Sequence, residues 1–129
     1  MENEIKIRNN VLKGMNLYPT NPANQKVVAY RDIKGKVFFF LNSKPVKHIK
    51  SHSPTGMNYG YCGSGPSDAA LSILKMLLKK KPAAILYQQF KFDFIAALNG
   101  NSNLVEFEFN LEEWADKTGL AGYLAPILD

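Results

Sequence analysis

The feature that most constrains the fold is a β-hairpin signal in the first third of the chain. The segments 26–33 and 36–42 are rich in valine, tyrosine, phenylalanine and isoleucine, and Lys34-Gly35 separates them as a two-residue turn. β-Branched and aromatic residues on both sides of a glycine turn are typical of paired antiparallel strands. The segment therefore predicts a hairpin and a fold built around an antiparallel sheet.

A second signal is an amphipathic helix over 66–81. Its apolar residues recur at three- and four-residue spacing, as expected of one buried helix face. Pro66 suits the first turn, Asp68 complements the positive end of the helix dipole, and lysines 79–81 complement the negative end. Pro82 blocks simple continuation and begins a second, shorter helix that ends near Gln89.

The remaining signals complete the predicted domain. We expect strands over 4–8 and 46–50, and a second hairpin whose strands, 92–97 and 105–109, flank an asparagine- and glycine-rich turn. Asn110 followed by Glu113 resembles a capping box that opens a helix containing Trp114. The prediction is one α+β domain with a mainly antiparallel sheet of about five strands and two or three helices on one face.

Within this single domain, 26–114 form the core, 1–25 an N-terminal extension and 115–129 a C-terminal tail. The 129 residues suit one domain, and 46% hydrophobic residues argue against disorder of the whole chain. No apolar run approaches the ~18–20 residues of a membrane span, and no secretory signal is evident, so we expect a cytoplasmic protein. The net charge of +5 favours anionic partners only mildly, because the lysines are spread along the chain.

Metal-binding and catalytic sets are not evident. Cys62 is the single cysteine and His48 and His52 are the two histidines, so one chain cannot supply the four ligands of a structural zinc site. Cys62 and His52 could pair as nucleophile and base, but no third group is evident that would orient them, and a lone cysteine is usually buried. His48 lies among lysines and is expected to be solvated. We predict no cofactor and no catalytic residue, and the sequence leans against an enzyme.

The candidate binding site is the loop 51–66. Glycines 60, 63 and 65 allow positive φ angles and a close approach of the backbone to a ligand, and the loop leads into the predicted helix. Unpaired N–H groups at a helix start form a natural anion site. Neither a P-loop nor the dinucleotide glycine spacing is present. The predicted ligand-binding residues are His52, Tyr59, Tyr61, Gly63, Ser64, Gly65, Ser67 and Lys91.

These residues have a structural interpretation beside the functional one. Ser64 and Ser67 could donate hydroxyl hydrogen bonds, Tyr59 and Tyr61 could stack on a base, and Lys91 or a lysine of 44–50 could neutralise a phosphate. The glycines could equally make a tight crossing from strand to helix, with the tyrosines covering the core. His52 is expected to hold the loop in place by hydrogen bonding.

Motifs in this region occur together in a family of small bacterial and phage proteins. They are His52-Ser-Pro-Thr-Gly56, Tyr59-Gly-Tyr-Cys-Gly-Ser-Gly-Pro66 and Leu86-Tyr-Gln-Gln-Phe-Lys91. Over 28–114 the chain therefore resembles this uncharacterised family, a domain of unknown function. Met57 stands where the family pattern has an aromatic residue, and Tyr59 where it has tryptophan. The resemblance implies a role in the contest between mobile elements and their hosts, in the bacterial host cytoplasm.

Three functions are expected, in this order. The first is non-enzymatic binding of a phosphorylated, nucleotide-like ligand, which in a phage would sequester a host immune signal. The second is a protein-interaction module that inhibits a host defence protein through an apolar patch or edge strand, using 38–40 or 123–128. The third is nucleic-acid binding through lysines 44, 47, 50 and 79–81, ranked lower because no recognisable binding motif accompanies them. The oligomeric state stays open, with a homodimer among the alternatives.

Overall fold

The structure, a computed structural model, describes residues 16–124. In chain order its elements are β1 Gln25–Arg31, β2 Val37–Leu41, β3 Lys44–Pro45, α1 Ser64–Leu77, α2 Lys80–Phe90, β4 Leu104–Phe109 and α3 Leu111–Lys117. A π-helical turn, Lys91–Ile95, continues α2, and a 3₁₀ turn, Ala121–Tyr123, follows α3. The strand expected over 4–8 and the end of the tail lie outside the described residues.

The strands form one antiparallel sheet in the order β3-β2-β1-β4. The predicted α+β class is therefore confirmed, with four strands among residues 16–124 where about five were expected. Alternate side chains of β1 and β2 point to opposite faces, and one set packs with the helices in the main core. That set is Val27, Ala29, Val37, Phe39 and Leu41.

The hairpin predicted over 26–42 is confirmed in β1 and β2. Its turn spans 32–36 instead of two residues, because the Asp32 carboxylate accepts hydrogen bonds from the backbone N–H groups of Lys34 and Lys36 at 2.9 and 2.8 Å. Gly35 has a φ of +85° in this turn, a conformation that other residues rarely adopt.

Two predicted strands are wrong. β3 ends at Pro45, so 46–50 is not a strand. The segment expected as a strand over 92–97 instead begins within the π-helical turn, where the Ala96 N–H donates to the Lys91 carbonyl at 2.8 Å. Helical geometry places Phe90 and Phe94 on one side, with ring centroids 5.0 Å apart, and Phe94 stacks on Phe107 of β4 at 5.3 Å. This aromatic packing outweighs the two-residue alternation of the sequence. β4 therefore pairs with β1 and not with a strand at 92–97.

The two helices predicted over 66–81 and from Pro82 to about Gln89 are both present, but the break between them falls earlier than predicted. α1 ends at Leu77 and α2 begins at Lys80, so lysines 79–81 lead into α2 and do not close α1. In one continuous helix, the ring of Pro82 would clash with the carbonyl of Leu78, whereas the first turn of a new helix tolerates proline. No helix among residues 16–124 is long and apolar enough to cross a membrane.

One half of the predicted capping box, the Asn110 side-chain cap, is confirmed at the start of α3. The Asn110 side-chain oxygen accepts a hydrogen bond from the Glu113 N–H at 2.9 Å. α3 buries Trp114, whose indole N–H donates to the Asp93 carboxylate at 2.7 Å. The helix is therefore joined to the π-helical turn as well as to the sheet.

Candidate functional site

One buried carboxylate anchors the loop that follows β3. The side chain of Asp68, in α1, is 0% exposed. It accepts hydrogen bonds from the backbone N–H groups of Ser51 at 3.2 Å, His52 at 2.8 Å and Ser53 at 3.0 Å. His48 Nε2 lies 2.8 Å from its Oδ2 atom. Because α1 begins at Ser64, Asp68 lies beyond the first helical turn, and its role is to bind this loop and not, as expected, to complement the helix dipole.

These hydrogen bonds determine the charge of Asp68. Burial by itself would raise the pKa of the Asp68 carboxyl, but the hydrogen bonds from His48 and from the three backbone N–H groups together lower this pKa below its usual value. An ionised carboxylate only accepts hydrogen bonds, so His48 Nε2 carries a proton and donates it. The expectation that His48 is solvated is therefore wrong: its side chain is 19% exposed and paired with Asp68.

A cleft of about 680 Å³ lies between β2, the segment 53–58 and the start of α1. Its volume is in the range of about 300–1,000 Å³ that is typical of ligand pockets. Lys34, Lys36, His48 and Lys50 line it, and its described lining contains no aspartate or glutamate. Residues 37–40 of β2, with Val46 and Met57, supply the apolar part of the lining. We call it the basic cleft; it brings together three lysines from two separate segments of the chain.

Tyr61 and Ser64 are the predicted ligand-binding residues that line the basic cleft. Tyr61 is half exposed and lies against the two glycines that follow it. A Cβ atom on Gly63 would stand 2.4 Å from the Tyr61 ring, and one on Gly65 would stand 2.8 Å from the Cβ of Asn58. Gly63 and Gly65 therefore make room for neighbouring side chains. The expectation that they adopt positive φ is wrong, since neither is among the positive-φ glycines of residues 16–124.

Gly60 does adopt a positive φ, of +87°. It also lies against a second glycine, because a Cβ atom on Gly60 would stand 2.3 Å from the Cα of Gly100. Its N–H donates to the Ile95 carbonyl at 3.0 Å. Gly60 thus joins the loop 51–66 to the turn before β4, which is a structural role.

Tyr59 belongs to the core. Its ring is 1% exposed, packs edge-on against Phe39 and has the Arg31 guanidinium 4.7 Å from its centre. The phenol donates to the Ser102 carbonyl, and burial raises the pKa of Tyr59 against the lowering effect of Arg31. The ring faces are thus covered by protein, which matches the structural interpretation of this residue.

The other predicted site residues do not line the basic cleft. His52 holds the loop, as expected: its Nε2 lies 2.7 Å from the Tyr87 hydroxyl, and the two rings stack. Ser67 is buried in α1, and the buried Lys91 places its ammonium 4.3 Å from the centre of the Phe92 ring. A ligand contact for these residues stays a prediction. Cys62, expected to be buried, is exposed and lies outside the cleft lining.

Sequence reasoning missed Lys34, Lys36 and His48, and included Lys50 only as part of a basic segment. A usable signal was the position of two pairs of basic residues, Lys34 with Lys36 before β2 and His48 with Lys50 after β3. The two pairs flank β2 and β3, so a hairpin followed by a short third strand brings them to one cleft.

A comparison with protein families gave a match. The model of a family of unknown function (DUF6166) matches residues 27–117, from β1 to the end of α3. This supports the expectation of an uncharacterised family and agrees closely with the range 28–114 over which the motifs occur. Neither the curated proteins nor the solved structures gave a match.

Proposed function

The chain belongs to the DUF6166 family, whose function is unknown, and we propose that it binds a phosphorylated, nucleotide-like small molecule in the basic cleft without catalysing a reaction. The observation that carries this proposal is the charge of the cleft lining. Lys34, Lys36 and Lys50 line it, and no described lining residue is acidic. Ammonium groups form strong, charge-assisted hydrogen bonds with phosphate oxygens.

The rest of the lining suits the other parts of such a ligand. Ser64, the first residue of α1, contributes a hydroxyl group at the positive end of the helix dipole, and no side chain caps this end. The exposed part of the Tyr61 ring offers a surface on which a base could stack. Val46 and Met57 add apolar contacts. A molecule with a phosphate at one end and a flat ring system at the other fits this arrangement.

Thermal shift and isothermal titration with a panel of phosphorylated ligands test the proposal. The panel includes nucleotides, cyclic nucleotides and ADP-ribose derivatives, because sequestration of a host signal is one role that such binding would serve. A ligand present at about 100 times its dissociation constant should stabilise the protein by about 2.7 kcal/mol. If no member of the panel stabilises the protein, the proposal is wrong.

A matched pair of double variants separates a site from general charge attraction. Lys36→Gln with Lys50→Gln removes two charges from the basic cleft, whereas Lys79→Gln with Lys80→Gln removes two exposed charges outside its lining. We expect the first pair to weaken binding at least tenfold, by about 1.4 kcal/mol or more, and the second pair to leave it nearly unchanged. Equal weakening by both pairs would contradict a specific site.

The alternative functions differ in their support. Of the lysines proposed for nucleic-acid binding, Lys50 alone lines the basic cleft, so no specific observation favours that function. For protein interaction, the side chains of 38–40 are buried and form no exposed apolar patch. The backbone edge of β2 gives a different reason to consider a protein partner.

A further inference from the structure

The backbone of β2 directs its hydrogen-bonding groups alternately to its two sides. The Asp32 N–H donates to the Lys36 carbonyl at 2.8 Å, which places even-numbered residues of this strand on the β1 side. The Val46 N–H donates to the Phe39 carbonyl at 2.8 Å, on the opposite side. Because alternate residues in an antiparallel ladder face the same neighbour, Val37 and Phe39 both direct their N–H and C=O groups away from β1.

β3 covers only part of that outer edge. It is two residues long and pairs with Phe40 and Leu41. Within residues 16–124, the N–H and C=O of Val37 and the N–H of Phe39 have no hydrogen-bond partner. Both residues line the basic cleft, although they are only 7% and 1% exposed. Backbone groups of such buried residues are nearly always paired in native proteins.

We infer that this edge of β2, unpaired within residues 16–124, binds an extended, acidic segment of a partner protein as an additional strand of the sheet. In strand addition, main-chain hydrogen bonds supply affinity and alternate side chains supply specificity. The N–H and C=O of Val37 and the N–H of Phe39 lie two residues apart on the same side of β2, which is the spacing at which a partner strand pairs. At about 3.4 Å per residue, a segment of about five residues would cover the edge and reach the cleft lysines.

The charge of the cleft determines which segment fits. Lysines beside an open edge discourage pairing with neutral or basic strands, and Lys34, Lys36 and Lys50 line this edge. Glutamate or aspartate side chains on the incoming segment would pair with these ammonium groups. The inference goes beyond the proposed function because its partner is a polypeptide; a bound segment would compete with a phosphorylated ligand for the cleft.

The probe is a fluorescein-labelled heptapeptide of alternating glutamate and valine, titrated into the full chain by fluorescence anisotropy. A second peptide carries an N-methyl group at every residue, so that it keeps its charge but neither of its edges can pair with β2. A third has lysine in place of glutamate. We expect saturable binding of the first peptide, at least tenfold weaker binding of the N-methylated peptide, and no binding of the lysine peptide.

Amide hydrogen exchange measured by NMR reports on the edge itself. At saturation with the acidic peptide, the amides of Val37 and Phe39 should become protected by at least tenfold. Lys36→Glu with Lys50→Glu should abolish binding, whereas Lys79→Glu with Lys80→Glu should preserve it. Absence of binding, equal binding of the methylated peptide or unchanged exchange at Val37 and Phe39 would each overturn the inference. The phosphorylated panel tests the proposed function separately, so either one can fail while the other stands.

Discussion

Replacing Asp68 by asparagine tests how the loop is held on α1. The two side chains have nearly the same size, so the change removes a charge and one acceptor oxygen without opening a cavity. In the native protein, His48 Nε2 and the three backbone N–H groups of 51–53 all donate to this carboxylate. An amide has one acceptor oxygen, and its NH₂ group would face donors.

The size of the effect follows from these contacts. If the amide oxygen keeps the hydrogen bonds from Ser51 and His52, the NH₂ group faces the buried N–H of Ser53, 3.0 Å from the original oxygen. One unsatisfied buried donor costs about 1–3 kcal/mol, and hydrogen bonds that lose a charged acceptor weaken further. We therefore expect a loss of about 3 kcal/mol in the free energy of unfolding. For 129 residues, about 2.1 cal/mol/K of unfolding entropy per residue converts this loss to a Tm about 11 °C lower.

Urea and thermal unfolding followed by circular dichroism measure the loss at pH 7. Asp116→Asn, in the exposed part of α3, is the control and should stay within about 0.5 kcal/mol of the native protein. The pKa of Asp68 is lowered in the folded state, so its contribution is complete above the unfolded-state pKa of about 3.9 and is lost as the pH falls through the folded-state pKa. The gap between native protein and variant should therefore narrow in acid. Equal stability at pH 7, or a gap that persists in acid, would refute the assignment of Asp68 as an ionised anchor.

Three further experiments, each by substitution, test the fold that supports the cleft. Gly60→Ala should destabilise the protein more than Gly35→Ala in urea unfolding. Both glycines have positive φ, a conformation that costs alanine about 1–2 kcal/mol. Only at Gly60 would the added Cβ also meet backbone, 2.3 Å away. Equal effects would contradict the packing of Gly60 on Gly100. Asn110→Ala should lose about 1 kcal/mol and Asn110→Gly only a few tenths, because the side chain caps α3; thermal unfolding checks this order. Trp114→Phe should cost about 1–3 kcal/mol by circular dichroism, because it removes the donor to Asp93; an unchanged Tm would contradict that role.

The parts of the fold that local chemistry encodes could be predicted from the sequence. The β1–β2 hairpin follows from a glycine turn between strands of β-forming residues, and the start of α3 follows from the Asn110 cap. The segment after α2 could not be predicted in the same way. Its alternating pattern indicates a strand, but the rings of Phe90 and Phe94 gain contacts with Phe107 that only helical geometry allows. Tertiary packing determines the conformation of this segment, and these long-range contacts cannot be read from a local sequence pattern.

The candidate site was predictable only in part, for a related reason. The sequence correctly indicated that Tyr61 and Ser64 lie near the start of α1, and the structure places both at the basic cleft. The cations of the cleft come from two segments on either side of β2 and β3, and they meet because β3 is only two residues long. The role of Asp68 could not be predicted locally, because helix-dipole chemistry is a sufficient local explanation and its partners lie 15–20 residues earlier in the chain.

The motifs that resemble the family therefore do not contain the lysines proposed to bind, although Tyr61 and Ser64 of the second motif line the same cleft. The backbone N–H groups of His52 and Ser53, in the first motif, donate to Asp68. In the second motif, Gly63 and Gly65 lie against Tyr61, and Gly60 lies against Gly100. Lys34, Lys36 and Lys50 lie before the first motif and form no described ion pair with an acidic residue. Stability and binding should consequently respond to different substitutions. Changes at Asp68 should lower stability, whereas changes at Lys36 and Lys50 should alter binding with little effect on unfolding, because the fold does not depend on their charges.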